Sequence, residues 1–96
     1  MAEKYHRQYD EYKRLGGDVS QGNLSQELLS DAIAYEAITT YAERAGEPGK
    51  QDAVVAEIVD GITEREFIAN QIGWLDRKAV AAAAAKKTNE GIDKTK

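Results

Sequence analysis

The sequence has 96 residues, of which 42% are apolar and 31% charged, and a formal net charge of −4. This length fits one domain, and the abundance of Ala, Glu and Lys with a single proline predicts an all-α protein. The absence of cysteine excludes disulfides, zinc-thiolate sites and thiol catalysis. Residues 24–85 carry eleven acids and five bases, so this region lacks the basic surface that nucleic-acid binding requires.

The hydropathy pattern gives no sign of a membrane segment. The N-terminal residues lack the hydrophobic stretch of a secretion signal, and no apolar run is long enough to span a bilayer. We therefore expect no membrane partner and a cytoplasmic location, either in the open cytoplasm or inside a protein nanocompartment or virion.

The first predicted helix covers residues 2–15 and carries tyrosines on one side. The three tyrosines are Tyr5, Tyr9 and Tyr12. Their spacing of i, i+4 and i+7 places the rings on one face of a helix. This spacing is typical of a packing surface, with a ligand platform as the alternative. A Gly-Gly pair follows and should end the helix.

The second helix is predicted over residues 24–45. Asn23, with Gln26 three residues later, resembles a capping box, and the Gly-Glu-Pro-Gly sequence at 46–49 should prevent the helix from continuing. One residue breaks the amphipathic pattern: Glu36 points into the middle of the apolar arc instead of the polar side.

The third helix is predicted to begin near Asp52 and to continue unbroken to about Lys86. It has two apolar sides, of which one is an ordinary core stripe of valines and isoleucines. The residues predicted to form a subunit interface lie on the second side: Phe67, Ile68, Trp74 and Leu75. Because the chain's own hairpin can cover only one side, we expect a second copy, related by a two-fold axis, to cover the other.

These elements divide the chain into three segments. They are an N-terminal helix and linker at 1–22, a helical hairpin at 23–87 and a flexible tail at 88–96. The hairpin is predicted to be antiparallel and to form half of a four-helix bundle that dimerisation completes.

Two carboxylates, Glu36 and Glu64, should lie at nearly the same height in such a hairpin. At about 1.5 Å per residue they stand roughly 15 to 18 Å from the break on either side. A carboxylate on an apolar face needs a partner, which could be a bridging metal, an arginine such as Arg44 or Arg65, or water reached through loose packing. A metal site would be all-oxygen, with Glu36, Glu64 and Tyr41 doubled by dimerisation, and would suit Fe, Mn, Mg or Ca.

The segment from Asp31 to Arg77 resembles the two-helix subunits of encapsulated ferritins, within the wider ferritin-like group. The stretch YEAITTYAERA is similar to that family's first-helix pattern, and EREFIANQIGWLDRK to its second. The resemblance implies a ferritin-like half-bundle whose diiron ferroxidase site forms when two subunits pair, in dimers or rings of dimers inside a protein shell. It places Glu64 at a ligand position and Tyr41 at the tyrosine near the metals, but puts Ala34 and Phe67 where the family has ligands.

Two functions stay open from the sequence. The first is an iron-binding ferritin-like protein, a ferroxidase-type oxidoreductase with iron, or else Mn or Ca, at a dimer-interface carboxylate site. The second is a non-catalytic helical assembly protein, such as a structural component of a phage or protein shell. Both require a homo-oligomer. An adaptor that presents its tyrosine-rich first helix to a partner is a third hypothesis.

Overall fold

A computed structural model of the chain describes residues 3–16, 18–20, 22–44 and 51–93. It contains four α-helices: α1 (Glu3–Arg14), α2 (Gln26–Glu43), α3 (Gln51–Ala69) and α4 (Arg77–Asp93). These described stretches contain no strand, and the all-α prediction is confirmed. The predicted break at 46–49 lies outside the described residues.

Helix α2 lies at the centre of the molecule and packs against the other three helices. It begins after Ser25, whose hydroxyl accepts a hydrogen bond of 3.0 Å from the backbone N–H of Leu28. The prediction that Asn23 caps this helix is wrong, because its side chain instead bonds the backbone of Ser20 and Asp18 in the preceding turn. Residues 29–34 are all buried, so this helix contacts neighbours on every side.

Helix α1 packs its tyrosine stripe against the rest of the bundle. Tyr5 and Tyr12 are buried, and the Tyr9 ring lies 4.7 Å from the ring of Tyr35 on α2. The prediction of a packing surface is confirmed for these rings. The helix ends before Gly16, whose φ of +57° is the left-handed conformation that glycine adopts without strain.

Helix α3 buries its predicted core stripe but is much shorter than predicted. It ends at Ala69, and the expectation of one helix reaching Lys86 is wrong. The N–H of Ile72 bonds to the carbonyl of Phe67, and Gln71 adopts a φ of +51°, which together form the Schellman arrangement that closes a helix. A new helix can then start in a different direction.

Helix α4 begins after Asp76, whose carboxylate accepts hydrogen bonds from the N–H groups of residues 78 and 79. Its buried face consists of Val80, Ala84, Thr88 and Ile92, at a spacing of four. The predicted tail from residue 88 is therefore wrong as far as Asp93, because this stretch is helical and contributes two core residues. Residues 94–96 lie outside the described part.

None of the four described helices combines the length and the apolar composition that crossing a bilayer requires. The four helices that pack together all belong to one chain: α3 contacts both α2 and α4, while α1 lies against α2. The chain itself therefore covers α3 on two sides, with α2 on one and α4 on the other.

Candidate functional site

Glu36 is held by an arginine from the neighbouring helix. The Nη2 atom of Arg65 on α3 lies 2.6 Å from Glu36 Oε2, and the Nε atom of the same guanidinium lies 2.9 Å from Glu66 Oε2. One cation thus bridges two carboxylates on α2 and α3. Of the three partners that the sequence left open for Glu36, the structure contains the arginine.

Glu66 is the best-buried carboxylate of α3 and joins three elements. The hydroxyl of Tyr12 on α1 donates a hydrogen bond of 2.7 Å to Glu66 Oε1, and the Asn70 amide donates one of 2.6 Å to the Tyr12 hydroxyl. With Arg65 and Glu36, these residues form a connected chain of polar groups, which we call the Glu66 network. It fastens α1 and α2 to the C-terminal half of α3.

The network changes the proton affinity of its members. Burial raises the pKa of the Glu66 carboxyl, but the hydrogen bonds from Tyr12 and Arg65 and the positive charge of Lys13 outweigh burial, so the net pKa lies below its usual value. Burial raises the pKa of the Tyr12 hydroxyl, and the hydrogen bond to Glu66 raises it further. Glu66 is therefore held as the anion and Tyr12 as the neutral phenol, the states that suit their hydrogen bond.

Open space lies beside this network. A groove of about 220 Å³ is bordered by Tyr12, Glu66 and Asn70 of the network, together with Lys13, Gly16 and Val19. Both carboxylate oxygens of Glu66 already accept hydrogen bonds. Glu66 is thus committed to holding the helices together.

Glu64 lies away from the Glu66 network. Its side chain is exposed and borders a different groove, of about 270 Å³, together with Asp60 on α3 and with Arg77 and Lys78 on α4. Tyr41, near the end of α2, is half-buried against the core and borders neither groove. Within one chain, the structure does not bring Glu36, Glu64 and Tyr41 together.

The predicted ligand set therefore does not fit a metal within one chain. Glu36 already accepts a short hydrogen bond from a guanidinium, and Glu64 opens onto another groove. No group of three His, Asp or Glu residues in the described ranges is placed to hold an ion. A site built by two copies would have to use Glu64 on the surface, and it stays a prediction.

The four residues predicted to form a subunit interface have different surroundings. Phe67 is 9% exposed and belongs to the core, and Trp74 and Leu75 are partly buried against it. The indole N–H of Trp74 donates to the carbonyl of Leu24 at 3.4 Å. Ile68, at 68% exposure, is the one large apolar side chain that faces solvent in the described structure.

The original reason for expecting a second copy is thus removed, because the chain itself covers the Phe67 and Trp74 side. What remains uncovered is the part of the predicted second side that includes Ile68. Its members are all exposed and share one side of the helix: Ala53, Glu57, Asp60, Gly61, Glu64 and Ile68. We call this strip the α3 outer face. It combines acids with small residues and one large aliphatic side chain.

Sequence reasoning missed two polar pairs. Lys87 on α4 forms an ion pair with Asp31, a 6% exposed residue of α2, and Tyr12 pairs with Glu66. Each acid has both polar and apolar residues one helical turn away, so hydropathy alone does not single it out as it does Glu36.

Comparison of the chain with protein-family models, with curated proteins and with solved structures finds no match. The ferritin-like resemblance therefore stays a prediction.

Proposed function

We propose that this chain is a non-catalytic helical module that assembles with further copies of itself. The observation that carries the proposal is the α3 outer face, where Ile68 stands 68% exposed at one end of a strip that also contains the small residues Ala53 and Gly61. Burial of a side chain such as Ile68 contributes about 1.5 to 3 kcal/mol when it is complete. The small residues along the rest of the strip let a second helix lie close to α3, so that it can also cover Ile68.

The interior acids support a structural role. Glu36 pairs with Arg65 of α3, and Asp31 pairs with Lys87 of α4. Glu66 accepts a hydrogen bond from Tyr12 of α1, so each of these three carboxylates ties one helix to another. Removing the partner of a buried carboxylate, such as Asp31 or Glu66, leaves an uncompensated charge, which is strongly destabilising. We infer that these groups position the helices, leaving the surface of α3 for contacts with other molecules.

The alternative is an iron-binding, ferritin-like protein in which two copies form an antiparallel half-bundle dimer with a carboxylate site. Its support is the sequence resemblance and the presence of Glu64 on the exposed α3 outer face. Because Glu36 is engaged by Arg65, that version rests on Glu64 from each copy. The two proposals differ in whether association needs a metal.

Light scattering during size-exclusion chromatography tests the proposal. The expected result is a mass above that of the monomer that rises with concentration, and a loss of that association in Ile68→Asp. The control is Ala82→Asp, which places the same charge at an exposed position of α4. A wild-type chain that stays monomeric at every concentration would reject the proposal.

A further inference from the structure

We propose that copies associate head to tail, with the α3 outer face of one copy docking on α1 of the next. The inference rests on the proposed function and adds the surface that the second copy uses. The docking surface on α1, which we call the α1 outer face, consists of exposed residues on the side away from the tyrosine stripe: Lys4, Arg7, Glu11 and Arg14.

The two faces carry opposite charges at the same spacing. On α3, Glu57 and Glu64 are seven residues apart, and on α1 Arg7 and Arg14 are also seven apart. Seven residues are close to two helical turns, so each pair spans about 10.5 Å along its helix and stays on one side. Two helices laid side by side can therefore bring both arginines to both glutamates at once.

All four charges are available for such a contact. Each of the four side chains is exposed, and none has an ion-pair partner among the residues that the structure describes. By contrast Arg65, the exposed base of α3, is already paired with Glu36 and Glu66. The α3 outer face is left net acidic and the α1 outer face net basic.

This charge pattern disfavours the two-fold dimer expected from the sequence. A two-fold contact of α3 with α3 would set Glu57 and Glu64 against the same residues of the other copy, which is repulsive without a cation between them. A contact between α3 and α1 sets Glu57 and Glu64 against arginines. These two attractive pairs outnumber the one pair of like charges, Asp60 against Glu11. The favoured contact is therefore heterologous, and it builds a ring or an open chain of copies.

Shape supports the same contact. Gly61 lies in the middle of the α3 outer face, and a Cβ atom built there would meet nothing within 4 Å. The surface thus has no side chain at its centre. With the two helices antiparallel, Ile68 lies one turn beyond Glu64 and would rest against the aliphatic stem of Lys4. In this arrangement the charges select the partner face and Ile68 supplies the apolar contact.

Charge-swap variants studied by sedimentation velocity test the inference. The double variants Glu57→Lys/Glu64→Lys and Arg7→Glu/Arg14→Glu are each expected to raise the dissociation constant by about tenfold or more, because like charges then meet. The quadruple variant combines both swaps and restores opposite charges across a head-to-tail contact. It is expected to return to within about threefold of the wild-type dissociation constant, a margin set by the context dependence of ion pairs.

The matched control is Lys86→Glu/Glu90→Lys, which swaps two exposed charges on α4 and should leave association unchanged. Circular dichroism establishes that each variant is folded.

A salt titration of the wild type tests the same contact without mutations. Association should weaken steeply as salt screens the contact. A quadruple variant as weak as the doubles, or a salt-independent wild type, overturns the inference.

The outcomes separate this inference from the proposed function. If the wild type is monomeric, the proposed function fails and the inference with it. If the wild type associates and the double variants associate equally well, only the head-to-tail contact is rejected. Association of the wild type that appears only with a divalent cation would also reject it, because that result indicates that acids of the two copies converge on a metal.

Discussion

The Tyr12 hydroxyl on α1 donates a hydrogen bond of 2.7 Å to the Glu66 carboxylate on α3, across 54 positions of sequence. This bond ties the N-terminal helix to the far end of the bundle, and it is buried. A buried hydrogen bond to a charged acceptor contributes more to stability than a neutral one at the surface.

We therefore expect Tyr12→Phe to lower the free energy of unfolding by about 1.5 to 3 kcal/mol, as is typical for the loss of a bond to a charged group. Urea denaturation followed by circular dichroism measures the change. Tyr9→Phe is the control, because the Tyr9 ring stacks on Tyr35 and its hydroxyl has no hydrogen-bond partner within the described residues. Equal losses in both variants would contradict a special role for the Tyr12–Glu66 bond.

Acid should weaken the fold through Glu66. Its folded-state pKa lies below the usual 4.5, because the hydrogen bonds from Tyr12 and Arg65 outweigh burial. The stabilisation is therefore present above pH 4.5 and is lost as the pH falls through the lowered folded-state pKa. Glu66→Gln should flatten this part of the curve of unfolding free energy against pH. A curve as steep as that of the wild type would assign the acid sensitivity to other carboxyls.

The end of α3 offers a stabilising substitution. Gln71 has a φ of +51°, a conformation that costs a residue with a side chain roughly 1 kcal/mol or more and that glycine adopts readily. Gln71→Gly should raise the free energy of unfolding by about 1 kcal/mol. Thermal melts are the measurement, with Gln26→Gly in the first turn of α2 as a control expected to destabilise. A destabilised Gln71→Gly variant would show that α3 does not end in this way.

Two helical glycines should respond differently to alanine. Gly61→Ala is expected to stabilise the monomer by about 1 kcal/mol, because alanine is the better helix former and the added methyl group meets nothing. At Gly91 the same methyl group would stand 2.5 Å from Ile38 Cδ1 in the core. The free energy of unfolding of Gly91→Ala should therefore be at least about 1 kcal/mol lower than that of Gly61→Ala. Equal values would mean that α4 does not pack closely on α2 there.

Composition predicted the helical class, and periodicity predicted the tyrosine packing face of α1 and the core stripe of α3. The end of α3 was missed because Gln71 adopts the left-handed backbone conformation just after the helix. A glycine at this position would have indicated the helix end. Gly73 and the capping residue Asp76 were the available signals, and neither was used. As a result, two helices were predicted as one.

The polar pairs were harder to predict for a geometric reason. The sequence indicated that Glu36 needed a partner and left open a metal, an arginine such as Arg44 or Arg65, or water. The choice depends on how α3 is rotated against α2. That rotation is set by the packing of the whole bundle. The bundle includes α4, which was predicted as a continuation of α3. The height of Glu64 along the hairpin was predicted from the rise per residue of a helix. Its outward direction depends on the rotation of α3 within the bundle.

The proposed association of copies through the α3 outer face requires no metal. Sedimentation velocity of the wild type, after extensive treatment with EDTA and again with added Fe(II) or Mn(II), tests it most directly. We expect the same distribution of species above the monomer in all three solutions. A chain that is monomeric in EDTA, and that associates with added metal only when Glu64 is present, would contradict it.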